Sequence, residues 1–132
     1  MKAVATDIDG TFLTNRRDYD HQLFDRIYRA MVARDIRFIV ASGDQYYFLR
    51  SLFPTVADQL AFVAENGVLT IDQGTELHCG RLKRSAVQAV IDYLDRLSGI
   101  NFIVCGRRSA YVRASAPARF RAGARRFYTR IK

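Results

Sequence analysis

Residues 2–14 read KAVATDIDGTFLT. A short apolar run from Ala3 to Ile8 carries two carboxylates near its end, Asp7 and Asp9, followed at once by Gly10 and Thr11. Such a run suits a buried strand, so the two acids stand where the strand stops and a turn begins. Like charges at this spacing repel unless a cation or a proton holds them together. A glycine beside them permits a turn close to a ligand, and the neighbouring amides can cradle an anion. The plainer alternative is a polar strand end with Asp9-Gly10 as a simple turn.

The chain beyond this stretch alternates. Between Asp18 and Arg34, Leu23, Ile27, Ala30 and Met31 recur at helical spacing. IRFIVAS (36–42) is a second continuous apolar run, ending in Ser42-Gly43. DQYYFLRSLF (44–53) predicts a short helix with Asp44 in its first turn, stopped by Pro54. LAFVAEN (60–66) predicts a third strand. Strand and helix in alternation imply βαβ units and a parallel sheet with right-handed crossovers. Ligands of such sheets gather at the C-terminal ends of the strands. Asp7, Asp9 and Ser42 all fall on that edge. Ser42 either offers its hydroxyl to a ligand or caps the helix that follows, and the two roles are compatible.

After residue 66 the pattern changes. Asn66-Gly67 is a two-residue hairpin signal between AFVAE and VLTID. VLTID and TELHCGR then predict antiparallel strands around Gly74. Residues 82–99 form an amphipathic helix pattern with Val87, Val90, Ile91 and Leu94 on one face and Gly99 as its stop. NFIVCG (101–106) and AYVRAS (110–115) predict another hairpin. Pro117 opens a last helix with Phe120, Phe127, Tyr128 and Ile131 on one side, a pattern still running at Lys132. The division between two units is placed at residue 78, giving 1–78 and 79–132.

Composition bounds the remaining possibilities. The 132 residues are 49% hydrophobic and 26% charged, as in a globular domain rather than a disordered chain. No apolar run approaches the ~18 residues of a membrane span, and the early acids do not suit a secretory signal. Cys79 and Cys105 make no disulfide framework or metal pattern and are expected as small buried thiols, which points to the cytoplasm. His21 and His78 have no partner pattern. The net charge of +8 is one-sided: residues 1–95 hold 11 Lys and Arg against 13 Asp and Glu, whereas residues 96–132 hold 10 Lys and Arg and no acid. A basic segment of this kind is a solvated face or a surface for an anionic partner. Nucleic acid is the lesser expectation.

DIDGTFL, ASGDQYY (41–47) and AENGVL (64–69), in this order, resemble the motifs of the haloacid dehalogenase-like (HAD) hydrolases, most closely the Cof-type phosphatases. GRRSAYVRASAPARF (106–120) is similar to cap-domain sequence of that group. The resemblance runs the length of the chain. It implies an α/β fold, a HAD-like Rossmannoid parallel-sheet core followed by the start of an α+β cap. It also implies Mg²⁺-dependent hydrolysis of a small phosphate monoester, a phosphorylated metabolite, through an aspartyl-phosphate. On this resemblance Asp7 is the nucleophile and a Mg²⁺ ligand. Asp9 is the general acid/base and holds the metal through its backbone carbonyl. Gly10, Thr11, Ser42 and Gly43 bind the phosphate. Asn66-Gly67 is taken as a turn rather than a catalytic element.

The sequence departs from the family in two respects. The resemblance calls for a later lysine that neutralises the phosphoaspartate and for a GD…ND acidic motif. Neither is present, and no acidic residue follows Asp95. Lys83, Lys132 and the arginines lie in cap-like sequence and do not match that lysine. The chain is therefore expected to be an N-terminal portion, half a core and half a cap, with the unfinished edges inviting a homodimer. A non-catalytic remnant, or a basic interaction module at 96–132, is the alternative. The second departure is Asp44, a carboxylate beside the expected phosphate site, taken as the acid of a helix's first turn.

Overall fold

Strands β1 (Ala3–Thr6), β2 (Arg37–Ala41) and β3 (Ala61–Ala64) lie side by side and parallel, in chain order. The computed structural model describes residues 2–132, in two units: one ends at Cys79 and the other runs from Gly80 to Lys132. In the first unit, the antiparallel β4 (Leu69–Asp72) and β5 (Thr75–Cys79) extend the sheet to five strands, ordered β1-β2-β3-β4-β5. The fold class is α/β, with the parallel strands that the alternation predicts.

Helix α1 (His21–Val32) joins β1 to β2. Its start is fixed by Asp20, whose carboxylate accepts the Leu23 N–H at 2.8 Å. The face it buries agrees with the aliphatic spacing at Met31 but not at Leu23 or Ile27. Phe24, Tyr28 and Met31 are buried, while Leu23 and Ile27 are 43% and 50% exposed. The rings win because each removes more apolar area from water. Phe24 joins a cluster with Phe12, Tyr19, Phe38 and Phe53, whose ring centroids lie 5.3–5.6 Å from its own.

Helix α2 (Tyr46–Ser51) joins β2 to β3 and is shorter than the sequence suggests; its N-cap is Gln45. It covers the same sheet face as α1. Phe38 and Val40 of β2 and Phe62 and Ala64 of β3 alternate inward, with Tyr46 edge-on to Phe62 at 5.4 Å. Residues of opposite pleat, such as Ala5, Ile39 and Val63, are exposed or half-buried. The continuous apolar runs thus serve a sheet covered on one face among the described residues.

The hairpin signals also resolve differently from expectation. Ala64 pairs with Leu69, so residues 65–68 form a four-residue connection with a 3₁₀ turn at Glu65–Gly67. The two-residue hairpin lies further on, at Gln73-Gly74, where Asp72 pairs with Thr75 and both turn residues have positive φ.

The second unit contains α3 (Arg84–Asp95), a small antiparallel pair of β6 (Val104–Cys105) with β7 (Ala110–Tyr111), and α4 (Ala118–Ala124) behind Pro117. Its last segment corrects the sequence expectation. The helix stops at Ala124, and Phe127, Tyr128 and Ile131 lie beyond it. The chain returns in extended form, with Ile131 in a parallel bridge to Ala110. The Ala110 N–H donates to Arg130 O at 2.9 Å and the Lys132 N–H to Ala110 O at 3.0 Å. Phe127 and Tyr128 close a turn on Ala124 O, at 3.1 and 3.0 Å, and the β-branched Ile131 takes the edge position. Cys105 is exposed on β6 rather than buried, and Cys79 is half-buried. No helix among the described residues is long and apolar enough to cross a membrane.

Candidate functional site

Three neighbouring parallel strands deliver three loops to one sheet edge: residues 7–11 after β1, 42–44 after β2 and 65–67 after β3. All the sequence-predicted site residues, Asp7, Asp9, Gly10, Thr11, Ser42 and Gly43, lie in the first two loops.

Asp7 continues the extended direction of β1, with φ −76° and ψ 162°. Residues Ile8–Phe12 then form one wide turn, which the Leu13 N–H closes on Ile8 O at 2.9 Å. Ile8 is fully buried and anchors this loop, leaving the flanking Asp7 and Asp9 exposed. Gly10 has φ +71° with nothing within 4 Å of where a Cβ would stand. Glycine is thus required here by backbone conformation rather than by space.

The second loop is tied to β3, with the Ser42 N–H donating to Val63 O at 3.0 Å. Ser42 Oγ accepts the Asp44 N–H at 3.1 Å. This is a local serine turn, and Ser42 does not cap α2. Asp44 likewise lies ahead of the helix rather than in its first turn. Its carboxyl lies near those of Asp9 and Asp7. Oδ2 of Asp44 is buried without a hydrogen-bond partner among the described residues. Burial, foremost, raises the Asp44 carboxyl above its ordinary range; the charge and contact of Asp9 and the charge of Asp7 add to this, and Arg17 opposes it.

The third loop is the one that sequence reasoning set aside as a turn. The Glu65 N–H donates to Asp44 O at 3.1 Å and the Asn66 N–H to Ser42 O at 3.3 Å. The Asn66 carboxamide lies over Gly43, where a Cβ would come within 2.8 Å of Oδ1. A side chain at position 43 would therefore displace the Asn66 carboxamide. The sequence did carry a signal for Asn66, because the third parallel strand must end on the same edge as the first two.

The remaining motifs fall elsewhere. His21 pairs with Asp18 at 2.9 Å on the surface. Tyr46 is buried, and Tyr47 and Phe48 are half-buried, in keeping with a packing role.

The metal-binding donors in the first two loops are all oxygen: carboxylates, the hydroxyls of Thr11 and Ser42, and backbone carbonyls. Such donors suit Mg²⁺, which is commonly held by one or two carboxylates together with phosphate oxygens and water. The orphaned Asp44 Oδ2 beside Asp9 fits an edge that is electrostatically incomplete on its own. Among the described residues no group of three or more His, Cys, Asp or Glu is arranged to hold a metal by itself.

Comparison with known proteins gives the family. The family model for haloacid dehalogenase-like hydrolases matches residues 4–130. The chain is 38% identical over 132 residues to the 5-amino-6-(5-phospho-D-ribitylamino)uracil phosphatase YbjI of Escherichia coli K12, covering 100% of this chain and 49% of that protein. The solved structure of SMU.1108c from Streptococcus mutans UA159 superimposes with a TM-score of 0.89 at 33% identity, covering 98% of this chain and 49% of that one. A haloacid dehalogenase-like hydrolase from Bacillus subtilis shares the fold at a TM-score of 0.76 and 18% identity, covering 94% of this chain and 42% of that one. The chain thus spans about half the length of these relatives.

Proposed function

The chain belongs to the haloacid dehalogenase-like hydrolases, and from that premise we propose that its first unit carries the phosphoryl-accepting edge of a Mg²⁺-dependent phosphatase. The substrate class is a small phosphate monoester, and the second unit is the beginning of a cap domain. One observation carries this assignment: the Asp7–Thr11 loop and the Ser42-Gly43 loop meet on one edge, carboxylates beside a hydroxyl and a loop without side-chain bulk. The phosphatase name of the 38% identical relative supports it.

Asp7 is the nucleophile, its carboxylate oxygen attacking phosphorus to form an aspartyl-phosphate as the alcohol leaves. Asp9 donates the proton to that alcohol and then takes one from the water that hydrolyses the intermediate. Gly10, Thr11, Ser42 and Gly43 hold the phosphoryl oxygens through hydroxyls and backbone N–H groups. Asp7 and Asp9 would hold Mg²⁺, which when bound supplies positive charge against the phosphoryl oxygens. Phosphoryl transfer asks chiefly for positioning and charge neutralisation. Three loops locked on adjacent strands provide the first. The test is hydrolysis of p-nitrophenyl phosphate with Mg²⁺, with EDTA and in Asp7→Asn. Turnover lost in both controls supports the assignment, and turnover unchanged in Asp7→Asn overturns it.

A further inference from the structure

We propose that Asn66 is a further phosphate-contacting residue, its carboxamide NH₂ donating to a phosphate oxygen held at Ser42 and Gly43. The inference rests on the phosphatase assignment above and adds to it a member from the third loop.

Four observations carry it. The Asn66 carboxamide lies against Gly43: Oδ1 and Nδ2 stand 2.8 and 3.3 Å from where a Cβ would be, and a half-turn of the amide exchanges them. That carboxamide is exposed and has no hydrogen-bond partner among the described residues. Its donors are therefore available on the ligand edge. The backbone beneath it is pinned, because the Asn66 N–H is held by Ser42 O at 3.3 Å and the preceding Glu65 N–H by Asp44 O at 3.1 Å. The side chain is thus referenced to the same loop that presents the Ser42 hydroxyl. Finally, Asn66 sits at φ 57° and ψ 37°, a left-handed conformation that Asn tolerates better than most residues.

Charge favours the same role. Asp7, Asp9 and Asp44 crowd this edge with negative charge, so an incoming phosphate needs donors that bring none. A carboxamide is such a donor, and it pairs with a neighbouring carboxylate less strongly than a lysine would. The glycine at 43 is the counterpart of this arrangement, since any side chain there would displace the amide.

The experiment titrates inorganic phosphate into the ¹⁵N-labelled chain in Mg²⁺, following the Gly43 backbone amide and the Asn66 side-chain NH₂ by NMR. In the unmodified chain both resonances shift with one dissociation constant. Asn66→Ala weakens phosphate binding about fivefold, as for one lost hydrogen bond. Asn66→Asp keeps the shape and the left-handed tolerance but places an anion on the phosphate, weakening binding about tenfold or more. Asn66→Asp also separates contact from packing, because a residue that merely fills the turn would survive that substitution. Phosphate affinity unchanged in a folded Asn66→Asp, with Gly43 still responding, overturns the inference and leaves the phosphatase assignment standing. No response of Gly43 to phosphate in the unmodified chain overturns both.

Discussion

The carboxyl of Asp44 lies near that of Asp9, across the loops that follow β2 and β1. One of its oxygens is buried without a partner among the described residues. Burial and the neighbouring acids hold the Asp44 carboxyl above its ordinary value of 3.8, so the folded chain binds this proton more tightly than the unfolded chain does. The associated stability is fully present below the unfolded value and is lost as pH rises through the folded one. At neutral pH without divalent metal, the charged Asp44 therefore costs stability. Asn at this position should raise the melting temperature at pH 7 in EDTA, and the gain should close as pH falls toward about 4. Thermal melts of the two chains across that range check it. A lower melting temperature for Asp44→Asn at pH 7 contradicts it.

Phe53 is fully buried, with its ring centroid 5.3–6.2 Å from those of Phe12, Tyr19, Phe24 and Phe38. Truncating it empties the centre of that cluster. Phe53→Ala should destabilise the first unit by about 3–5 kcal/mol, a large share of a small domain's stability. The drop in the urea midpoint measures this, and a loss below about 1 kcal/mol would mean the cluster repacks.

The Tyr19 hydroxyl donates to Leu52 O at 2.8 Å, and burial foremost, with the charges of Asp25 and Asp18, pushes its ionisation up to about 12. The stability tied to this neutral phenol is present below 10.0 and lost as pH rises through about 12. Tyr19→Phe should cost about 1 kcal/mol at pH 7 through the missing hydrogen bond. It should also lose less stability than the parent chain between pH 10 and 12. Urea titrations at pH 7 and across the alkaline range read both effects.

The fold was legible where the sequence repeats a period and obscure where side chains compete. The runs at Ala3–Ile8, 36–42 and 60–66 mark three parallel strands because apolar, β-prone residues bounded by Gly, Ser or Asn have few other uses. The buried face of α1 was caught at Met31 but missed at Phe24 and Tyr28, because Leu23 and Ile27 stand at the same helical spacing. Only the ring cluster decides between them. At the C-terminus, Phe127, Tyr128 and Ile131 fit a helical stripe on paper, but Phe127 and Tyr128 close a turn on Ala124 and Ile131 pairs with Ala110 of β7. Within the site, Asp7, Asp9 and Ser42 follow from their places at strand ends. The contacts of Asp44 with Asp9 and of Asn66 with Gly43 do not, because they depend on how far each loop turns after its strand.

The central claim is that Asp7 accepts a phosphoryl group. The most direct measurement incubates the chain, and an Asp9→Asn variant that slows hydrolysis of the intermediate, with Mg²⁺ and acetyl phosphate. Peptide mass spectrometry after acid quenching then locates the adduct. A phosphoryl adduct on Asp7, increased in Asp9→Asn and absent in Asp7→Asn, is the predicted result. A folded chain that carries no adduct on Asp7, or carries it elsewhere, would contradict the account.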